Sequence, residues 1–194
     1  MTTAEQSTLR QTLRTATDAS HQRLHGHPGF RGVQRGSISR PRYRALLTRL
    51  YGFHAPFEEA APNGRERSGW LALDLVSLGV ERGLLTTIPR CVAIPALQSG
   101  ERRLGAMYVV EGSAIGGRTL ARGLDRMLGP DAIDGRRFFL GRGGDTGDAW
   151  GTVLAQLEAV SRDAGSVAAV VGAAVETFSV FEDWLSDWNT SSDD

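Results

Sequence analysis

The first residues that could do chemistry surround His21. Arg14 precedes His21 by two helical turns and His25 follows it by one turn, so all three share a face if this segment is helical. On such a face a neutral imidazole can bind iron axially, and a guanidinium can bind carboxylates of the same ligand. A histidine near the C-terminal end of a helix is also stabilised by the helix dipole, so a purely structural role for His21 stays open.

A second segment, from Tyr108 to Arg122, places three glycines inside an otherwise helical pattern. Gly112, Gly116 and Gly117 each cost about 1 kcal/mol relative to alanine inside a helix, so something must offset that cost. Gly112 and Gly116 lie one turn apart, which would let a second helix or a flat ligand approach the backbone closely. The spacing matches neither G-x-G-x-x-G nor G-x-x-x-x-G-K-[ST], and no strand pattern precedes it, so a nucleotide-binding loop is not indicated.

The elements that must position these residues are predicted to be helices. Leu9, Leu13, Ala16 and Leu24 recur at helical spacing, which predicts a first helix over about 3–24, ended by a glycine and a proline. We interpret 29–41 as a connector, and 129–148 as a surface loop rich in glycine, arginine and aspartate. Further helices are predicted at about 43–54 with Pro56 as a kink or a stop, 65–78, a short stretch within 84–96, 101–128, 148–164 and 166–185.

The composition favours a single all-α domain. The chain has 194 residues, no long alternation of polar and apolar residues that would indicate strands, and 41% hydrophobic residues for a core. Its 22 basic residues balance its 22 acidic residues, so net charge predicts no attraction to nucleic acid or to a membrane surface. Cys91 is the one cysteine, so no internal disulfide is possible. We expect a cytoplasmic protein without a signal peptide or a membrane span.

Taken together, the two segments resemble the haem oxygenase family. The first reads L-x-x-x-T-x-x-x-H-x-x-L from Leu13 to Leu24, and the second reads E-G-S-x-x-G-G from Glu111 to Gly117. This pair in an all-α chain is most similar to the bacterial branch, which includes enzymes that supply biliverdin to bacteriophytochromes. The resemblance covers most of the chain, with residues 1–188 as a haem oxygenase-like domain and 189–194 as a disordered tail.

The resemblance implies a helical bundle that holds haem b between its first helix and a glycine-rich distal helix. His21 falls at the position of the proximal iron ligand, and the distal, catalytic positions fall on Gly112, Ser113 and Gly116. The other haem contacts implied are Arg14, at a propionate-binding position, Arg122, at a basic position of the distal helix, Tyr108 and Gly117. The implied reaction converts haem to biliverdin, carbon monoxide and ferrous iron, using O2 and electrons from a ferredoxin or a reductase.

Departures from the family pattern leave alternatives open. Mammalian members carry an aspartate where this chain has Ser113, and His25 stands where an acidic residue is common, so His25 is an alternative iron ligand. We expect His27 in a loop and His54 on a helix packing face. A non-catalytic haem carrier would share every residue of the site. A thiaminase-type relative would instead need Cys91 as its nucleophile, and a helical interaction module would need none of these residues.

Overall fold

The structure, a computed structural model, describes residues 8–61, 66–160, 163–186 and 188. Its α-helices are α1 (Leu9–Gly26), α2 (Pro28–Gln34), α3 (Arg40–Ala60), α4 (Glu66–Ser77), α5 (Gly100–Ile115), α6 (Gly117–Gly123), α7 (Asp125–Leu128), α8 (Arg137–Leu140), α9 (Thr146–Ala159) and α10 (Ala164–Ser186). Short 3-10 helices span Arg82–Thr87 and Gly143–Asp145. These ranges contain no strand, which confirms the all-α prediction. The predicted helix start at residue 3 and the predicted tail 189–194 lie outside the described residues.

The segment after α1 was predicted to be a connector, and this prediction is wrong because it contains α2. Within the described chain α1 begins after Thr8, whose hydroxyl accepts from the Gln11 N–H in a capping box. Helix α1 ends at Gly26 and is followed by His27. Pro28 then occupies the first position of α2, where its missing N–H costs nothing. The His27 ring caps α2, since its Nδ1 accepts from the Gly29 N–H at 3.2 Å. Val33 of α2 is fully buried, so packing stabilises this short helix.

Helix α3 continues through Pro56 to Ala60, so the proline is neither a stop nor the end of the packing face. Proline has no N–H to donate to the carbonyl four residues earlier. That carbonyl, of Gly52, accepts instead from the Cys91 N–H at 2.9 Å. The same contact buries Cys91, and burial raises the pKa of its thiol, so the structure offers no activated nucleophile there.

The predicted single helix over 101–128 is instead three helices, because the chain breaks at Gly116 and again at Leu124. The N–H groups of Thr119 and Leu120 both donate to the Gly116 carbonyl, so the regular ladder does not run through this point. The glycines that weaken the helical pattern therefore mark a real interruption.

The predicted surface loop 129–148 contains α8, which the sequence patterns did not predict. Its Phe139 is 4% exposed and joins the core. The Asp74 carboxylate of α4 accepts from the N–H groups of Arg137 and Phe138, both at 2.9 Å. A buried carboxylate thus caps a one-turn helix that has little propensity of its own.

Helix α10 packs along α5 and also contacts α1. At Gly105 of α5 the α10 backbone comes so close that an added Cβ would lie 2.1 Å from the Val170 carbonyl oxygen. Among the described helices, α10 is long and apolar enough to cross a membrane by length and composition alone, contrary to our expectation that no segment would be. It supplies Ala173, Ala174 and Phe178 to the core, and 28% of its most apolar stretch is buried in the structure.

Candidate functional site

A cleft of about 920 Å³ lies between α1 on one side and the α5–α6 break on the other. Its back wall comes from α3, α8 and α10, and Trp150 of α9 lies at its side. The volume is within the roughly 300–1,000 Å³ range of small-molecule sites, and the lining is mostly apolar. The helices around it therefore enclose space for a large, flat, largely apolar ligand.

Helix α1 presents its two adjacent histidines to this cleft. The rings of His21 and His25 are 4.5 Å apart, and both residues line the cleft. The His21 ring also lies 6.4 Å from the ring of the buried Phe178 of α10, and both histidines are themselves exposed. Partial burial lowers the pKa of His21, and the neighbouring His25 lowers it further. Both effects favour the neutral form of the His21 imidazole, which is the form that binds a metal.

The opposite wall carries the predicted glycines, which serve two different purposes. A Cβ on Gly116 would meet nothing closer than the Ser113 carbonyl oxygen at 3.8 Å, so this position faces open space. A Cβ on Gly112 would lie 3.3 Å from the Trp150 ring, and one on Gly117 would lie 2.5 Å from the Phe139 carbonyl oxygen. Gly112 and Gly117 thus permit close packing, whereas Gly116 keeps the cleft open.

The other predicted distal residue, Ser113, lines the cleft and donates its hydroxyl hydrogen to the Val110 carbonyl at 2.8 Å. Tyr108 and Thr17 of α1 also line the cleft, and burial raises the pKa of the Tyr108 hydroxyl.

The two predicted propionate-side arginines occupy different places. Arg14 is exposed and lines the cleft beside Arg10. Arg122 lies on α6 but does not line the cleft. The structure therefore brings together Arg14, His21, Tyr108, Gly112, Ser113, Gly116 and Gly117, and it leaves Arg122 outside.

Arg67 and His54 line the back of the cleft, and neither was predicted to be part of the site. Arg67 had no local signal, because α3–α4 packing alone brings it there. His54 is 4% exposed, as expected for a packing face, and its ring lies 5.1 Å from that of Phe138. Its Nδ1 is buried without a hydrogen-bond partner among the described residues, so a polar atom at the back of the cleft is left for a ligand or water.

His54 should make the stability of the protein depend on pH. Burial, helped by the Arg67 charge, lowers the pKa of His54 to about 3, against 6.5 for the free side chain. The contribution of neutral His54 to the free energy of unfolding is complete above pH 6.5. It is lost as the pH falls towards 3, by about 1.4 kcal/mol per pH unit, because only the unfolded chain takes up the proton. We expect His54→Phe to flatten the fall in unfolding free energy between pH 6.5 and 4.5, measured by urea denaturation.

Asp74 works in the opposite sense, because burial raises the pKa of its carboxyl to about 6. The quantity to compare is therefore the difference in unfolding free energy between wild type and His54→Phe at each pH. An equal slope in wild type and His54→Phe would show that His54 is not held neutral.

The residues of the site suit a metal that is already held by an organic ligand better than they suit a free metal ion. Within the described ranges, no cluster of three or more histidine, cysteine, aspartate or glutamate side chains is placed to hold a metal. His21 offers one imidazole to a mostly apolar cleft, and Gly116 faces the cleft with no side chain. A planar macrocycle with one open axial position on its metal suits both features.

Comparison with known proteins agrees with this geometry. The sequence profile described as heme oxygenase matches residues 7–187. A comparison with curated protein sequences finds no match.

Three solved structures share the fold at low sequence identity. A heme oxygenase from Leptospira interrogans is 16% identical with a TM-score of 0.76, over 93% of this chain and 100% of that one. Heme oxygenase-1 from Synechocystis sp. PCC6803, solved in complex with heme, is 17% identical with a TM-score of 0.72, over 95% and 92%. A domain of unknown function with a heme oxygenase-like fold from Shewanella denitrificans OS217 is 15% identical with a TM-score of 0.69, over 95% of each chain.

Proposed function

This chain belongs to the haem oxygenase family, and from that premise we propose that it opens haem to biliverdin, carbon monoxide and ferrous iron, using O2 and external electrons. One observation carries the proposal. His21, a neutral imidazole, and Gly116, a position without a side chain, face the same mostly apolar cleft from opposite walls.

In this proposal each wall has a separate task. His21 binds the iron, and the exposed Arg14 at the rim binds the propionates. The bare backbone at Gly116 leaves room above the macrocycle, so O2 can reach it without a side chain in the way. The aromatic back wall excludes bulk water, which would otherwise compete for the iron. Haem, once bound, supplies the iron and the meso carbons at which O2 reacts.

We extend the proposal to the cellular setting from the resemblance of the two sequence segments, taken together, to the bacterial branch of the family. The electrons come from a ferredoxin or a reductase in the cytoplasm, and a bacteriophytochrome receives the biliverdin. Co-expression with an apo-phytochrome tests the last point, since transfer of the product would give a red-absorbing, photoconverting holoprotein.

The experiment that tests the function is a haemin titration followed by reduction in air. We expect one haem per chain with a histidine-ligated ferric spectrum. Ascorbate or a ferredoxin system should then replace the haem absorption with that of biliverdin, and a parallel sample under nitrogen should keep its haem. Recovery of unchanged haem from the aerobic sample would instead identify a haem carrier.

The placement of the two arginines gives a prediction for the same titration. Arg14→Ala should weaken haem binding roughly 5- to 30-fold, because a lost charge-assisted contact costs about 1–2 kcal/mol. Arg122→Ala removes the same side chain from outside the cleft and should leave the affinity unchanged. Isothermal or absorbance titration measures both. Equal losses in the two variants would place Arg122 in the site, as the family resemblance implies.

A further inference from the structure

Glu111 opens the E-G-S-x-x-G-G segment, but the proposed function gives its carboxylate no task. The side chain is only 5% exposed. A charged carboxylate in such a place is strongly unfavourable unless it is paired and hydrogen-bonded. The partners of Glu111 therefore indicate why it is there.

Two arginines bind this carboxylate at one oxygen. Glu111 Oε2 accepts from Arg67 Nη2 at 2.8 Å and from Arg142 Nη1 at 3.0 Å. Arg142 also pairs with Glu66, so two cations and two anions form a closed, neutral cluster. We call Glu66, Arg67, Glu111 and Arg142 the Glu111 clamp. It ties α5 to the start of α4 and to the segment that follows α8.

The α4 end of the clamp is itself fixed to α3. The Glu58 carboxylate accepts from the Arg67 N–H at 2.7 Å, from the Ser68 N–H at 3.0 Å and from the Ser68 hydroxyl at 2.6 Å. It thereby satisfies N–H groups at the start of α4 that have no partner within the helix. The backbone at Arg67 is therefore tied to α3, and the Arg67 side chain is buried against Glu111.

The clamp lies where α5 most needs support. Glu111 directly precedes Gly112, and α5 ends one turn later at the Gly116 break. Arg67 lines the same cleft as these two glycines. The last turn of α5 contains Gly112, is followed by Gly116 and does not continue into α6 through a regular ladder, so its backbone alone holds it weakly.

We infer that Glu111 is a positioning residue, which through Arg67 and Arg142 fixes the last turn of α5 at a set distance from His21 across the cleft. The inference rests on the proposed function, because a bound haem would respond to that distance. With the clamp broken, residues 112–116 should shift, and the in-plane orientation of the macrocycle should shift with them.

The test replaces Glu111 by glutamine, which keeps the size and removes the charge. In the haem-free protein we expect amide hydrogen exchange over 112–117 to quicken about tenfold or more relative to wild type. Leu157→Ala is the matched control, since it truncates a buried side chain of α9 outside the clamp and should quicken exchange without singling out 112–117. In the haem-loaded protein, Glu111→Gln should also change the ratio of biliverdin isomers, and Leu157→Ala should not.

A second variant separates positioning from simple loss of charge balance. Glu111→Gln combined with Arg67→Gln also removes the buried cation that loses its carboxylate, while Arg142 keeps Glu66. Fast exchange at 112–117 should persist in this double variant, because the tie from α5 to α4 is still absent, whereas a return to slow exchange would assign the effect to charge balance and overturn the inference. If Glu111→Gln does not fold, Arg142→Gln alone replaces it, because Arg67 still pairs with Glu111. Exchange at 112–117 that matches the Leu157→Ala control would overturn the inference. The haem-free measurement decides this even if wild type fails to bind haem, which would overturn only the proposed function.

Discussion

Replacing His21 by alanine should abolish the histidine-ligated spectrum of the haem complex and weaken haem binding by about 100-fold or more. Loss of residues that merely orient a metal ligand costs roughly 10- to 100-fold in metal affinity, so loss of the ligand itself costs at least as much. The side chain faces the cleft, so its removal should leave the helical circular dichroism unchanged. Added imidazole should enter the vacated space and restore the spectrum.

His25→Ala is the control for this experiment, because the two rings are neighbours in the same cleft. It should keep both the spectrum and the affinity, since His21 keeps its ring contact with Phe178 and remains in the cleft to bind the iron. The reverse pattern, with His25→Ala losing the ligand field and His21→Ala keeping it, would assign the iron to His25.

Replacing Gly116 by leucine should abolish haem turnover, with a loss of about 100-fold or more in rate, while the protein stays folded. A Cβ here meets only the Ser113 carbonyl oxygen at 3.8 Å, and the backbone has a negative φ of −75° that leucine adopts readily. The new side chain would therefore fill the cleft and not disturb the core. A loss of that size corresponds to about 2.7 kcal/mol in the barrier, which a blocked approach of O2 readily supplies.

Two other glycines make the comparison decisive. Gly69→Leu inserts the same side chain at an open helical glycine outside the cleft and should leave turnover unchanged. Gly117→Ala adds one methyl group 2.5 Å from the Phe139 carbonyl oxygen and should lower the melting temperature. Normal turnover by Gly116→Leu would mean that this glycine serves helix packing instead.

Sequence patterns predicted the parts of the fold that depend on periodicity and local signals. The helical stripe of α1 placed His21, and the glycine cluster marked the wall opposite. The patterns failed where tertiary contacts decide: α2 is held by the buried Val33, and α8 is capped by Asp74 from a distant helix. Neither helix has enough propensity over so few residues to be recognised locally.

The same limit applies to the site. Arg67 reaches the cleft through the packing of α3 on α4, which no local pattern reports. The family resemblance implied Arg122 as a haem contact on the distal helix. In the structure Arg122 lies on α6, beyond the break at Gly116, and does not line the cleft.

The contact between α2 and α6 sets the direction in which a ligand can enter and leave. At Gly123 the two helices are so close that a Cβ would lie 1.9 Å from the Val33 carbonyl oxygen, and α2 follows α1 after a single residue. The two walls of the cleft are therefore joined at the end where α2 contacts α6. That contact lies away from Thr8 and Arg14, which line the cleft towards the start of α1. A flat substrate should therefore enter edge first beside Thr8 and Arg14, and a product that is no longer planar should leave through the same opening.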